Sequence, residues 1–262
     1  MPVMTTHAPG TFCWVELATS DAEAAKSFYS QLLGWTWIDN PMGENMVYTM
    51  MQKDGNFVCA LFQIHEQMMA EGFHPHWVCY ISTDDVDAAT VRVTEAGGNV
   101  INGPFDVFNA GRMSVVADPT GATFGIWQPR DHIGAGLIFE PGSLGWTELN
   151  TTDTGVAAAF YGSVFGWAHS SRPTGQPDQD YHFFMLEDNG VGGMIQIQPD
   201  WGEVPPHWAA YLCVEDVDAS FQKAQEMGAE VVVPLMNEEN VRFAFLKDPQ
   251  GVHFGIVQVM SE

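Results

Sequence analysis

The chain has 262 residues, 46% of them hydrophobic, and sets 33 acidic side chains against nine Lys and Arg for a formal net charge of −24. So acidic a surface repels phosphate backbones and anionic lipid, which argues against nucleic-acid and membrane-surface roles. The length predicts two domains at roughly 150 residues each, and no apolar run approaches the ~20 residues of a membrane helix.

The opening stretch MPVMTTHAPG has neither the basic flank nor the apolar run of a secretory signal, so the cytoplasm is the expected compartment. Cys13, Cys59, Cys79 and Cys213 form no C-x-x-C pair and sit in apolar, strand-like surroundings, as reduced buried thiols would.

In chain order, residues 10–17 alternate as a strand does. TSDAEAAKSFYSQLLG then predicts a helix capped by Thr, Ser and Asp, with Ala25, Phe28 and Leu32 on one side and Gly34 closing it. Three more strands follow, with a hairpin turn expected at Asp54-Gly55. HWVCYI (76–81) opens a second unit, and DDVDAATVRVTEAGG predicts its helix, with Ala88, Val91 and Ala96 towards one side. The Asp-Pro-x-Gly sequence at 118–121 marks the last turn of that unit. The pattern then starts again: GSLGWTELNTTDTGVAAAFYGSVFGWAH (142–169) agrees with residues 10–37 at 11 of 28 positions. Asn189-Gly190 is the second expected hairpin turn, HWAAYLCVEDVD (207–218) echoes HWVCYISTDDVD (76–87), and Asp-Pro-x-Gly returns at 248–251.

The chain is therefore a tandem duplication of a duplicated β-α-β-β-β unit, with copies at about 10–65, 74–129, 142–198 and 207–258. One such unit leaves a sheet face wet, and two side by side can curl into a cup with helices outside. The expected fold is α+β: two tandem domains, 1–130 and 131–262, each a pair of βαβββ modules forming a cupped mixed sheet. Alternation sends Cys13, Val15 and Leu17 towards the helices and Trp14 and Glu16 into the cup. In the same way Trp77, Cys79 and Ile81 oppose His76, Val78 and Tyr80.

Several residues on the cup faces carry chemistry. Glu16 and Glu148 are carboxylates in apolar strands, and a desolvated Glu has a raised pKa and can act as a general base. They can equally pair with Arg112 and Arg242, which occupy matching repeat positions, or share an anionic substrate group with them. His76 and His207 are either acid–base groups or strand-start histidines bonded to backbone. Trp14, Trp127, Trp146, Tyr80 and Tyr211 are either an aromatic ligand cup or ordinary core, while Trp35 and Trp167 read as core. No P-loop, G-x-G-x-x-G, G-x-S-x-G or H-E-x-x-H motif is present.

The run T-x-D-x-x-x-x-x-x-FY-x-x-x-x-GW, the D-V-D-A sequence and G-R-x-x-x-x-x-DP-x-G-x-x-FGI resemble the vicinal oxygen chelate superfamily of glyoxalases, bleomycin-resistance proteins and extradiol dioxygenases. The resemblance covers residues 10–258. Through GRMSVVADPTGATFGIWQ and HIGAGL it extends to a tandem two-domain glyoxalase-like subgroup that includes a mycobacterial culture-filtrate antigen. It implies metal ligands on first and last strands, seven residues before and after the marker aspartates. Those slots hold Trp14, Val78, Trp146 and Ala209, and Gly125 and Gly255, so no metal is expected there. A displaced site could draw on Glu148, His207 and His253, a 2-His-1-carboxylate set in composition, each shifted about 6–7 Å along a strand.

The resemblance implies a glyoxalase-like lyase or isomerase acting on a small oxygenated metabolite. In it Glu16 or Glu148 would be the base, and Arg112 or Arg242 would stabilise an enolate-like oxyanion. Trp14, His76, Tyr80, Trp127, Trp146, His207, Tyr211 and His253 would contact the ligand. No cofactor is expected, the partner is a small molecule, and the chain is a monomer or homodimer. The alternative is a non-catalytic binder of the bleomycin-resistance type; a third reading is an interaction protein whose pockets are relics.

Overall fold

Four times a strand, a helix and three further strands follow one another in the computed structural model, which describes residues 3–43, 46–70, 72–174 and 179–260. The first unit is β1 (Phe12–Thr19), α1 (Ala22–Leu33), β2 (Thr36–Pro41), β3 (Val47–Lys53) and β4 (Asn56–Gln63), followed by the short α2 (Glu66–Ala70). The second is β5 (His76–Ser82), α3 (Val86–Glu95), β6 (Asn99–Val107), β7 (Gly111–Ala117) and β8 (Thr123–Pro129). The third is β9 (Leu144–Thr151), α4 (Thr154–Phe165), β10 (Ala168–Pro173), β11 (Asp180–Leu186) and β12 (Asn189–Gln196). The fourth is β13 (His207–Cys213), α5 (Val217–Glu226), β14 (Glu230–Glu238), β15 (Val241–Lys247) and β16 (His253–Val259).

Each unit's helix starts because an aspartate stops the strand before it. Asp21, Asp85, Asp153 and Asp216 accept from the backbone N–H three residues on, at 2.9–3.0 Å, and losing such a cap costs about 1 kcal/mol. Gly34 and Gly166 end α1 and α4 at φ 71° and 74°, a left-handed conformation that glycine adopts without strain. In α3 the buried face is Val86, Ala89, Thr90 and Val93, and Val91 is exposed. Of the expected Ala88/Val91/Ala96 face, Ala96 packs against the core, whereas the stripe at helical spacing runs through Val86, Ala89, Thr90 and Val93 and so passes beside Ala88 and Val91. The first hairpin turns at Asp54-Gly55 as expected. Its counterpart turns at Glu187-Asp188, and Asn189-Gly190 already belongs to β12.

Two eight-stranded mixed sheets result, in the orders β2-β3-β4-β1-β5-β8-β7-β6 and β10-β11-β12-β9-β13-β16-β15-β14. Consecutive units pair edge to edge through antiparallel β1–β5 and β9–β13, so each cup is completed within one half of the chain. The helices lie outside the cups, between the two sheets, where one apolar core runs through both halves. Phe28 of α1 meets Phe254 at 5.9 Å, and Phe160 of α4 meets Phe124 at 6.2 Å. Trp35 Nε1 donates to Gly142 O at 2.7 Å while Trp167 Nε1 donates to Gly10 O at 2.8 Å, a reciprocal clasp between halves. All four cysteines are buried free thiols. No helix among the described residues is long and apolar enough to cross a membrane.

Candidate functional site

Alternation along β1 sends Val15 and Leu17 to the shared core, while Trp14 and Glu16 face the cup beside Ala60 and Val78. Cys13 departs from the expected phase and joins Trp14 in the cup cluster, because the β1–β5 register slips between Phe12 and Trp14. A bulge of this kind breaks the period of two. Trp77, Cys79 and Ile81 face the core and Val78 and Tyr80 the cup, as expected.

Glu16 is half-buried and held by hydroxyls. Trp14 Nε1 donates to Tyr48 Oη at 3.3 Å, and Tyr48 Oη donates to Glu16 Oε2 at 2.7 Å. Burial lifts the Glu16 pKa from 4.5 to about 7, with hydrogen bonds from Tyr48 and Tyr80 pulling the other way. The second half repeats the cluster. Trp146 Nε1 donates to Tyr181 Oη at 2.9 Å, Tyr211 Oη donates to Glu148 Oε1 at 3.2 Å, and burial raises the Glu148 pKa against Tyr181, Tyr211 and Asn150. Glu16, buried among hydroxyl donors with a pKa of about 7, can take up and return a proton at physiological pH; burial shifts Glu148 in the same direction.

Tyr48 and Tyr181 sit in no local motif that marks them as site residues. A usable signal existed: the six tyrosines fall into three repeat pairs, Tyr29/Tyr161, Tyr48/Tyr181 and Tyr80/Tyr211.

The chelate positions do not fit a metal. Gly125 and Gly255 fill the last-strand slots, and a Cβ there would fall 2.1 Å from the Tyr80 ring and 2.0 Å from the Tyr211 ring. Each tyrosine thus lies across the space from which a last-strand carboxylate would reach. The displaced set does not assemble: His207 stands opposite Asn150 rather than Glu148, and His253 opens β16 opposite Lys247. Among the described residues no three His, Cys, Asp or Glu are placed to hold a metal ion.

Arg112 and Arg242 require a correction: neither meets a glutamate of the cups. Arg112 makes a two-pronged contact with Asp87 in the first turn of α3, at 2.8 and 2.9 Å, and also reaches Asp106 at 3.1 Å. Arg242 grips Asp218 of α5 and Asn237. The reason is alternation: Met113 packs into the first cup, so its neighbour Arg112 points to the helical side. His76 and His207 hold backbone, their Nδ1 atoms 2.7 Å from His74 O and 2.8 Å from Pro205 O, and burial lowers both pKa values. His253 is exposed and stacked on Phe245, centroids 6.0 Å apart.

The two cups differ in filling. Trp14, Tyr80 and Trp127 are buried in the first, and the segment joining the halves crosses its end. Trp127 Nε1 donates to His132 O at 2.9 Å, and the His132 ring stands edge-on to Trp14 at 4.7 Å. Burial, with nearby His7 adding to it, lowers the His132 pKa to about 4. In the second half Cys13, Phe57, Ala60 and Trp127 are replaced by Gly145, Gly190, Gly193 and Val257. Trp146 is there only partly buried, and Tyr211 packs against Phe243 and Phe245 at 6.1 and 5.5 Å.

Comparison with known proteins follows the same lines. A family model described as "Glyoxalase/Bleomycin resistance protein/Dioxygenase superfamily" matches residues 11–126 and 143–256. The chain is 42% identical over 260 residues to "Putative glyoxylase CFP32" of Mycobacterium tuberculosis (strain CDC 1551 / Oshkosh), covering 98% of each. It is 37% identical over 268 residues to "Anthracycline biosynthesis protein DauV" of Streptomyces sp. (strain C5), covering 98% of this chain and 96% of that protein. Among solved structures it resembles the Mn(II)-bound glyoxalase from Novosphingobium aromaticivorans, with a TM-score of 0.67 and 17% identity over 97% of this chain and 83% of that one. It also resembles the 2,3-dioxygenase LapB from Pseudomonas sp. KL28, with a TM-score of 0.69 and 11% identity over 97% of this chain and 94% of that one. At such identities the structural likeness is one of fold.

Proposed function

The chain belongs to the glyoxalase, bleomycin-resistance and dioxygenase superfamily, and on that footing we propose that it is a glyoxalase-like lyase or isomerase of a small oxygenated metabolite, with Glu16 and Glu148 as general bases. The observation that carries this is the Glu16 carboxyl, half-buried in an aromatic cup, held by Tyr48 at 2.7 Å and lifted to a pKa of about 7. A base whose pKa lies near the working pH is both available and strong enough to matter.

In the proposed step the glutamate oxygen takes a proton from the carbon beside a substrate carbonyl. The C–H electron pair moves into the new C=C bond, and the carbonyl oxygen becomes an enolate. As the glutamate is neutralised it releases its claim on the tyrosine hydroxyls, and Tyr80 or Tyr211 can then donate to that oxyanion. Where the ionised carbon carries a hydroxyl, that hydroxyl passes its proton to the enolate oxygen; its own oxygen then forms the new C=O, the C=C pair takes the proton back from the glutamate at the former carbonyl carbon, and the isomerisation ends with the carboxylate restored. The tyrosines, not Arg112 and Arg242, meet the oxyanion, since the arginines are held by Asp87 and Asp218, and no metal or cofactor enters the step. The proposal includes a cytoplasmic monomer or homodimer.

The test is hydrogen–deuterium exchange at carbon in D2O, followed by NMR on a panel of 2-oxoaldehydes, free and as their glutathione hemithioacetals. Glu16→Gln and Glu148→Gln are expected to cut exchange at their own cups by about 10²–10⁴-fold, with the Glu16-dependent rate rising through pH 7. Unchanged exchange in the double variant removes the glutamates from the mechanism.

One feature favours a second reading, a non-catalytic binder of bleomycin-resistance type. The second cup is walled by Trp146, Tyr211, Phe243 and Phe245, and a relative is named for anthracycline biosynthesis, so the ligand would be a planar aromatic. Saturable binding with no exchange in the unaltered protein selects it.

A further inference from the structure

The amino-terminal arm, the segment joining the halves, β9 and β12 line a cleft of about 360 Å³ whose walls do not include Glu148. Small-molecule pockets span about 300–1,000 Å³ and are mostly apolar with a few placed polar groups. This one has that character: Phe12, Ile138, Leu144, Trp146 and Gly190 line it, and His7 supplies a polar point. Trp146 is shared with the cup, since its Nε1 is bonded to Tyr181 Oη.

The first half provides an internal template for what such a place accepts. There Ala135 N and Gly136 N donate to Cys13 O and Phe57 O at 2.8 and 2.7 Å, and the joining segment sets the His132 ring edge-on against Trp14. The repeat counterparts of Cys13, Phe57 and Trp14 are Gly145, Gly190 and Trp146. Gly190 and Trp146 face the open cleft instead of a strap. A ring edge against an indole is a favourable contact beyond the area it buries.

The polar point has a defined sense. His7 Nε2 lies 2.8 Å from Ala135 O. A carbonyl only accepts, so Nε2 carries the proton and Nδ1 keeps a lone pair. Burial favours the neutral imidazole by lowering its pKa, against the bond to Ala135 O, which raises it. His7 lines the cleft, and its neutral ring has one acceptor nitrogen left to offer a donor.

We propose that this junction cleft is a binding site for a flat aromatic molecule of two or three fused rings carrying a hydroxyl, its ring seated against Trp146 and its hydroxyl donating to His7 Nδ1. The site goes beyond the catalytic reading and stands without it. A ligand here would bear on Glu148 only through the Trp146–Tyr181 contact.

The probes are 2-naphthol and naphthalene, titrated against tryptophan fluorescence in the full-length protein. Saturable quenching by both is expected, tighter for 2-naphthol. Gly190→Phe, which restores the first-half residue at φ values any residue adopts, is expected to weaken both at least tenfold. His7→Phe should weaken 2-naphthol roughly five- to tenfold and leave naphthalene unchanged. Glu148→Gln should alter neither, which separates this site from the proposed base. Full affinity in Gly190→Phe, or loss in Glu148→Gln alone, overturns the assignment. Because Gly190→Phe could disturb folding, crystals of the unaltered protein soaked in 2-naphthol give an independent reading. Density against Trp146 in the cleft supports the site; density elsewhere, or none, overturns it.

Discussion

Tyr29 Oη donates to Asp248 Oδ2 at 2.9 Å, across 219 residues, and Tyr161 Oη donates to Asp118 Oδ2 at 3.2 Å in mirror fashion. Each tyrosine belongs to the Phe-Tyr pair of one half and each aspartate to the Asp-Pro-x-Gly turn of the other. Both aspartates also hold their own turns through backbone N–H groups, Asp118 from Thr120, Gly121 and Ala122, and Asp248 from Gln250 and Val252. The motifs most useful for recognising the fold thus fasten one half to the other.

Removing one of these hydroxyls leaves a buried carboxyl short of a donor. Tyr29→Phe and Tyr161→Phe are each expected to destabilise the protein by about 1–3 kcal/mol. Urea unfolding with a single cooperative transition checks both the loss and the coupling of the halves. Two separated transitions in the unaltered protein would contradict the shared core.

Glu16 makes stability depend on pH. Its folded pKa of about 7 lies above its ordinary 4.5, so the folded state binds the extra proton between those values. That contribution is complete at the acid end, fades as pH rises from about 4.5 to 7, and is gone above. Glu16→Gln should flatten this part of the profile and gain up to about 3 kcal/mol over the unaltered protein at pH 8. Thermal denaturation at pH 5 and pH 8 reads the difference; an equal gain at both would be inconsistent with a displaced pKa.

Gly255→Ala drives a Cβ into the Tyr211 ring and should cost about 1–3 kcal/mol, the usual penalty of overpacking. Pairing it with Tyr211→Ala should recover part of that cost, because the clash and its cause are removed together. A double-mutant cycle measured by denaturant tests this; strict additivity would mean that the ring does not fill the slot.

Arg112→Ala and Arg242→Ala are expected to leave exchange and ligand affinity unchanged, since both guanidiniums face solvent and helix-start aspartates. A large fall in turnover, with folding intact by circular dichroism, would return them to the site.

Much of this was legible beforehand, for physical reasons that can be named. The Asp caps, closing glycines and repeated HW…DVD phrases are local, and their consequences are local. The inward placement of Glu16 and Glu148 followed from strand alternation alone. Arg112 was misplaced because its matching repeat position suggested a partner, whereas its parity relative to Met113 sends it outward. Cys13 was misplaced because a bulge is invisible to a period of two. The roles of Tyr48, Tyr181 and His132 depend on which strands become neighbours and where the joining segment runs, and no single stretch of chain encodes that.

The reciprocal clasps also make the molecule its own control. Trp35 and Trp167, or Tyr29 and Tyr161, cannot drift separately without loosening both halves, because each hand of the clasp closes on the opposite copy. Positions such as Phe57 and Gly190, or Trp127 and Val257, take no part in these clasps and differ between the two cups. Duplication has left one copy free to vary its chamber while the seam keeps the pair in one piece.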